Sequence, residues 1–144
     1  MDKIFNKLFP PTCLNCNQIG ECICDNCLYN CEILSAQFCV VCDKPSFNGF
    51  THKSCFLQSK KQITQSISVF KYQNLVRDSI KTSKFGSKKF ITLKKLAYES
   101  AYLLKEWGFD FKDFIITAVP PTKARYKIRG FNQAQIIAEI YSNK

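Results

Sequence analysis

Four pairs of metal-ligand residue types occupy the first 55 residues, and two residues separate the members of each pair. The pairs are Cys13/Cys16, Cys24/Cys27, Cys39/Cys42 and His52/Cys55. Two side chains at this spacing can hold one Zn²⁺ from a single tight turn, and two such turns complete a tetrahedron. Because so short a segment with few aliphatic residues cannot bury a large core, metal binding would supply folding free energy, on the order of 10 kcal/mol per site. The spacing therefore predicts two zinc sites.

The spacing leaves open which pairs share an ion. Sequential pairing closes the shorter loops and is favoured over interleaved pairing. In the sequential arrangement one site has four cysteines, and the other has three cysteines and a histidine. Cys22 and Cys31 fall outside the pairs, although Cys22 could replace Cys24. His52 could instead be a surface residue, but its spacing to Cys55 favours a ligand. Four protein ligands leave no open position for substrate, so both sites are predicted to be structural.

The expected compartment supports metal binding over disulfides, because thiols in the cytoplasm are kept reduced and the chain has nine cysteines. The chain has no apolar stretch of about twenty residues that could span a bilayer. Residues 1–12 lack the long apolar core of a secretory signal, and residues 2–9 are predicted to form an amphipathic helical turn. We therefore expect a cytoplasmic protein.

Charge divides the chain into two unequal parts. Residues 1–59 carry four basic and five acidic side chains, whereas residues 60–144 carry seventeen and six. We therefore predict a zinc-ribbon module over 1–59 and a second domain over 60–144. The basic excess of the second part favours phosphate-bearing partners, either nucleotides or nucleic acids.

Hydrophobic periodicity predicts four elements in the second part before residue 120. Alternation over 66–72 predicts a strand, and Asn74 is expected to cap a helix that ends near Phe85. Apolar residues three and four apart over 90–107 predict an amphipathic helix closed by Gly108. The apolar run 114–119 predicts a buried strand that stops at two prolines. Four lysines near the end of the first helix could border an anion site or lie on a solvated face: Lys81, Lys84, Lys88 and Lys89.

A basic segment follows the two prolines. Its cations occupy alternate positions at Lys123, Arg125, Lys127 and Arg129, which an extended backbone would place on one side. Gly130 permits a positive φ, and Asn132 can cap the apolar helix that follows. A strand, a basic loop and a helix start in this order form a frequent phosphate site in α/β proteins, although a solvated lysine-rich loop would have the same composition.

Residues Arg129-Gly130-Phe131-Asn132-Gln133-Ala134 closely resemble the signature of the ComF family of phosphoribosyltransferase-like proteins. The paired cysteines resemble the zinc ribbons with which members of that family begin, with His52 in a position where a cysteine is common. The resemblance implies a small double zinc ribbon followed by the first part of a phosphoribosyltransferase-like (Rossmann-like) α/β domain. It also implies a role in natural competence and DNA uptake. We predict phosphate contacts from Lys123, Arg125 and Arg129, with Gly130, Asn132 and Gln133 shaping the turn.

The resemblance has two departures. Ala118-Val119-Pro120-Pro121 stands where the family more often has Pro-Val-Pro. The chain also has no acidic pair followed by Thr-Thr-Gly, the loop that binds the ribose phosphate in type I phosphoribosyltransferases. We therefore expect no phosphoribosyl transfer by this chain alone, and Mg²⁺ with phosphoribosyl pyrophosphate only in a complete domain. The expected partners are single-stranded DNA or a phosphorylated small molecule, and competence proteins. Two alternatives are a zinc-ribbon module that binds single-stranded nucleic acid and a gene fragment without independent function.

Overall fold

A computed structural model of the chain describes residues 10–60, 62–85, 90–112 and 114–143. The described residues form six α-helices, and a short 3₁₀ helix, Phe47–Gly49, lies between Cys42 and His52. The α-helices are α1 (Asp25–Tyr29), α2 (Lys53–Gln58), α3 (Asn74–Phe85), α4 (Phe90–Glu106), α5 (Lys123–Arg129) and α6 (Gln133–Ser142). The predicted turn at 2–9, Lys88 and Lys89 lie outside the described residues.

The β structure in these ranges consists of isolated antiparallel bridges. They join Thr12 to Ile19, Ile33 to Phe70, Phe38 to Pro45, and Phe50 to Gln65. The described part of the chain is thus helical and poor in strands, and the predicted phosphoribosyltransferase-like α/β sheet is not seen in it. None of its helices combines the length and the apolar character needed to cross a bilayer.

The chain forms two compact units. The first takes in the described residues of Met1–Cys31 and Tyr72–Lys144, and the second is Glu32–Lys71. The ends of the second unit pair with each other, because Leu34 N–H donates to the Val69 carbonyl at 2.8 Å and Lys71 N–H donates to the Glu32 carbonyl at 2.9 Å. The sequence-based division at 59/60 stays a prediction.

Helices α4 and α6 supply the core of the first unit. Ala97 and Ala101 of α4 are buried against Ile140 of α6, and Ile136, Ile137 and Tyr141 pack around them. The small alanine side chains allow close approach, and the Tyr141 hydroxyl reaches the Ser100 hydroxyl at 2.7 Å. Burial raises the pKa of Tyr141, although the hydrogen bond to Ser100 opposes this shift. The predicted helices at 74–85 and 90–107 are confirmed, the second ending at Glu106.

The predicted strand over 66–72 is wrong, since only Phe70 makes a bridge there. The side chain of Gln37 takes the place of a neighbouring strand at Ser68. Its amide nitrogen donates to the Ser68 carbonyl at 2.8 Å, and its amide oxygen accepts from Ser68 N–H at 3.0 Å. Because one side chain satisfies both backbone groups of Ser68, no ladder is needed at this position.

The predicted buried strand over 114–119 is also wrong. Phe114, Ile115 and Val119 are 64%, 98% and 80% exposed, and the segment is not part of any ladder among the described residues. An apolar run becomes a buried strand only where another strand pairs with its backbone and another layer covers its side chains. The described residues provide neither for this run.

Candidate metal centres and the basic segment

The first metal group begins with a tight turn at Cys13 and Cys16. Cys13 N–H donates to the Gln18 carbonyl at 2.8 Å, and Asn17 N–H donates back to the Cys13 carbonyl at 3.0 Å. Asn17 has a φ of 60°, a left-handed conformation that asparagine tolerates better than most residues. These bonds fold the turn so that both thiols face one point.

The other two thiols of this group lie at the start of α1. Cys24 is the N-cap of α1 and Cys27 lies within it, one turn along. The sulfur atoms of Cys16 and Cys24 are 3.6 Å apart, and Cys24 N–H donates to the Cys13 sulfur at 3.5 Å. A turn and a helix start thus bring together two pairs that are separated in sequence.

The second metal group repeats the turn 26 residues later. Cys39 N–H donates to the Lys44 carbonyl at 2.9 Å, Asp43 N–H donates to the Cys39 carbonyl at 2.9 Å, and Asp43 also has a φ of 60°. The helix is repeated as well, since His52 is the N-cap of α2 and Cys55 lies within α2. The same local structure therefore forms twice, once in each compact unit.

The geometry of both groups fits a tetrahedral metal ion. The ligand atoms within each group lie within 4.8 Å of one another, and the groups follow the sequential pairing that loop length favoured. Zn²⁺ bond lengths imply about 3.8 Å between two sulfurs and about 3.6 Å between a sulfur and a nitrogen. The observed Cys16–Cys24 and Cys42–His52 distances are 3.6 and 3.4 Å. These residues can hold a borderline-soft divalent ion such as Zn²⁺, which would cross-link each turn to its helix.

One thiol in each group, Cys13 or Cys39, has a lowered pKa. Burial raises the pKa of Cys13, but hydrogen bonds from the backbone of Cys16, Cys24 and Asn15 outweigh it and lower the pKa to about 6. Burial likewise raises the pKa of Cys39. Hydrogen bonds from the backbone of Cys42, Val41 and His52 outweigh burial and lower this pKa to about 6. Thiolates are the form that binds a metal, so the turns prepare both groups for an ion.

Two further residues lie near the first group. Cys22 does not join the group, as its position outside the pairs favoured, and its carbonyl accepts from Leu14 N–H at 2.9 Å. Asn15 had no predicted role, yet its side-chain amide lies 3.4 Å from the Cys27 sulfur, where it can donate to the thiolate. Only the position of Asn15 between two ligands could have indicated this contact.

An ion-pair cluster joins the first metal group to α4. The Lys95 ammonium contacts the carboxylates of Glu21 and Asp25, the latter at 2.9 Å. Burial lowers the pKa of Lys95, but the hydrogen bonds to Glu21 and Asp25 outweigh it and raise the pKa. Because about seventy residues separate the partners, spacing in the sequence could not reveal this connection.

The basic segment is helical and not extended, which overturns the expectation that its cations share one side. Thr122 caps α5 by accepting from Arg125 N–H at 3.3 Å, and Gly130 ends it with a φ of 76°. Because a helix turns about 100° per residue, the cations separate into a lysine pair (Lys123, Lys127) and an arginine pair (Arg125, Arg129) on different faces.

A cavity of about 500 Å³ lies beside the lysine pair. Its lining residues are Pro120, Pro121, Lys123, Tyr126, Lys127, Asn132 and Gln135. Arg125, Arg129, Gly130 and Gln133 are not among them. Within the described ranges, no carboxylate forms an ion pair with any of the four cations of α5.

The residues after α5 connect it to the core. Asn132 caps α6 by accepting from Ala134 N–H at 3.1 Å, as predicted, and its amide donates to the Val119 carbonyl at 3.3 Å. Gln133 donates to the buried hydroxyl of Ser83 in α3 at 2.7 Å. The Phe131 ring packs against the Phe90 ring, with centroids 5.5 Å apart. The Arg129–Ala134 motif is therefore also a packing motif.

Comparison with curated proteins shows that this chain is similar to a competence protein. The chain is 24% identical over 125 residues to the competence protein ComFC of Bacillus subtilis (strain 168). The match covers 83% of this chain and 51% of that protein, so the chain spans about half the length of the relative. No family model matches the chain, and no solved structure matches it. Together with the Arg129–Ala134 motif, this similarity relates the chain to the ComF family.

Proposed function

We propose that this chain takes part in natural competence as a metal-stabilised protein that binds phosphate groups beside α5. The observation that carries the proposal is the set of four α5 cations without a carboxylate partner in the described part of the chain. Four like charges within two helical turns repel one another, and an anionic ligand would relieve that repulsion.

The cavity beside α5 favours the lysine pair as the primary contact. Lys123 and Lys127 line it together with Tyr126, whose half-exposed ring could stack on a base or a sugar. Asn132 borders the same cavity, and its predicted contribution to the phosphate site stays a prediction. Phosphate contacts from Arg125 and Arg129 stay a prediction, and these residues would act from another face of the helix.

The competence role rests on the relative. ComFC of Bacillus subtilis is named for competence, and the match includes most of this chain but only half of that protein. We extend the role to this chain because the two cysteine groups and the Arg129–Ala134 motif are the features expected of the family. In this proposal the metal ions, which we take to be Zn²⁺, are structural, and the ligand is a phosphorylated small molecule or single-stranded DNA.

Paired charge variants test the phosphate site. Pyrophosphate binding to the metal-loaded chain would be measured by calorimetry for wild type, Lys123→Ala with Lys127→Ala, and Arg125→Ala with Arg129→Ala. We expect the lysine variant to lose at least about tenfold in affinity, and the arginine variant to lose less. Lys53→Ala with Lys60→Ala removes two exposed charges elsewhere and serves as the control. Equal losses in all three variants would show a general charge effect and contradict the site.

A salt series separates the two ligand classes. Affinity for a single-stranded oligonucleotide that falls steeply with salt, while pyrophosphate binds weakly, would identify nucleic acid as the ligand. Tight pyrophosphate binding without oligonucleotide binding would identify a small molecule.

Gene deletion tests the competence role. The frequency of transformation in the source organism should fall on deletion and return when the wild-type gene is supplied. The lysine variant should not restore it, whereas the Lys53/Lys60 control should. Unchanged transformation after deletion would overturn this part of the proposal.

A further inference from the structure

The His52 ring is held between two partners on opposite sides. Its Nδ1 lies 3.4 Å from the Cys42 sulfur, and its Nε2 lies 3.2 Å from the Pro45 carbonyl oxygen. A carbonyl oxygen can only accept a hydrogen bond, so the ring nitrogen facing it must carry the proton. The neutral ring then has its lone pair on Nδ1, which faces the thiols.

The Pro45 carbonyl is itself fixed by the turn that carries two of the ligands. Pro45 forms the antiparallel bridge with Phe38, directly before Cys39, and this bridge closes the turn from Cys39 to Cys42. Because proline has no N–H, its carbonyl is the backbone hydrogen-bonding group that it can offer to the ring. The acceptor and the Cys39/Cys42 thiols therefore belong to one hydrogen-bonded loop.

The backbone of His52 is also fixed. As N-cap of α2 it has a φ of −57° and a ψ of 143°, and its carbonyl accepts from Phe56 N–H at 2.9 Å in the first helical turn. The ring is thus oriented from the helix side and from the loop side. The 3.4 Å distance from Nδ1 to the Cys42 sulfur agrees with the separation of about 3.6 Å that a shared Zn²⁺ would impose.

From this geometry we infer that His52 binds the metal ion of the second group through Nδ1, and that the Pro45 carbonyl selects this nitrogen by accepting a hydrogen bond from Nε2–H. Such an outer partner fixes the tautomer and the ring plane of a histidine ligand. The second group would then differ from the first in having one imidazole whose orientation depends on a backbone carbonyl.

Nitrogen NMR of the imidazole gives a direct test, because His52 is the only histidine in the chain. In the ¹⁵N-labelled, zinc-loaded full chain, the two ring nitrogens are identified by their couplings to the ring C–H protons. We expect Nδ1 to have a metal-bound shift without an attached proton, and Nε2 to have an attached proton that exchanges slowly. A metal-bound Nε2, or a ring with the averaged shifts of free imidazole, would overturn the inference.

Metal titrations of three variants support the assignment. His52→Ala should lower the affinity of the second group for Zn²⁺ at least about tenfold, and His52→Cys should restore two bound ions per chain. Pro45→Ala is the matched control, because it changes the side chain and keeps the backbone carbonyl. It should still bind two ions per chain, and its ¹⁵N spectrum should still show a metal-bound Nδ1. Unchanged binding of two ions by His52→Ala would overturn the inference, and so would a wild-type chain whose second group binds no Zn²⁺.

Discussion

The two metal groups have the same local structure in different surroundings. Each combines a turn that contains a left-handed residue with a helix whose N-cap is a ligand. The first group belongs to the unit that contains the α4–α6 core, whereas the second belongs to Glu32–Lys71, where Cys39 and Val69 are the buried apolar residues. The same metal chemistry should therefore contribute very different shares of the folding free energy of the two units.

The largest expected effect is unfolding of the second unit when its ion is removed. Cys39→Ser should lose one bound metal and the protection of residues 32–71, because ion binding supplies on the order of 10 kcal/mol and little apolar burial replaces it. Hydrogen exchange read by mass spectrometry, together with metal analysis, measures both losses.

The matched variant in the first group should behave differently. Cys13→Ser should also lose one metal, but α4 and α6 should stay protected because their apolar contact and the Ser100–Tyr141 hydrogen bond do not involve the ion. Cys31→Ser alters a thiol outside both groups and should retain two ions. Loss of α4 and α6 protection in Cys13→Ser would remove the distinction between the two units.

Acid should release both ions over the same range of pH. The pKa of Cys13 and that of Cys39 are both lowered from 9.0 to about 6, so each thiolate stabilises the fold fully above its ordinary pKa and loses that contribution as the pH falls through about 6. Protons then compete with the metal. Because a bound ion favours the thiolate further, a chromophoric chelator should record release from both groups only at or below about pH 6, with Cys13→Ser and Cys39→Ser separating the two signals. Release that is already complete between pH 6 and pH 9 would contradict the lowered values.

Two ion pairs provide a smaller comparison. Lys95 joins the first metal group to α4 through Glu21 and Asp25, and Lys71 pairs with Glu32 at the ends of the second unit. Exposed pairs contribute up to about 1 kcal/mol, and Lys95 is the less exposed of the two lysines and has two partners. Lys95→Ala should therefore lower the free energy of unfolding by more than Lys71→Ala does. Denaturant unfolding of the zinc-loaded chain at low salt measures both, and a larger loss in Lys71→Ala would reverse the ranking.

Local features were predictable from the sequence. Two-residue spacing indicated both metal groups, and three- and four-residue spacing with Asn74 and Gly108 at the ends indicated the helices that became α3 and α4. Asn132 and Gly130 also have the predicted backbone roles. Each of these features depends on residues within a few positions of one another, where residue type and geometry are closely linked.

The wrong predictions depended on partners distant in the chain. Residues 114–119 have a strand pattern, but a strand exists only with a neighbour, and the described residues do not provide one. At Ser68 a glutamine side chain satisfied the backbone, which no periodicity could reveal. The helical form of α5 did have a local signal, since Thr122 can act as an N-cap and precedes helix-forming residues. The alternating cations were instead interpreted as an extended segment.

The smallest expected effect concerns the left-handed residue in each metal-binding turn. Asn17 and Asp43 both have a φ of 60°, where glycine is free of the steric cost that a Cβ atom brings. Glycine also increases the entropy of the unfolded chain, so Asn17→Gly and Asp43→Gly should change the free energy of unfolding by less than about 1 kcal/mol. In Asn17→Ala and Asp43→Ala the Cβ atom still strains the left-handed backbone, and no short polar side chain offsets that strain. Each alanine variant should therefore lower the free energy of unfolding by about 1 kcal/mol. Competition with a zinc chelator under native conditions measures these differences within each group, and alanine variants as stable as the glycine variants would show that the turns do not require the left-handed conformation.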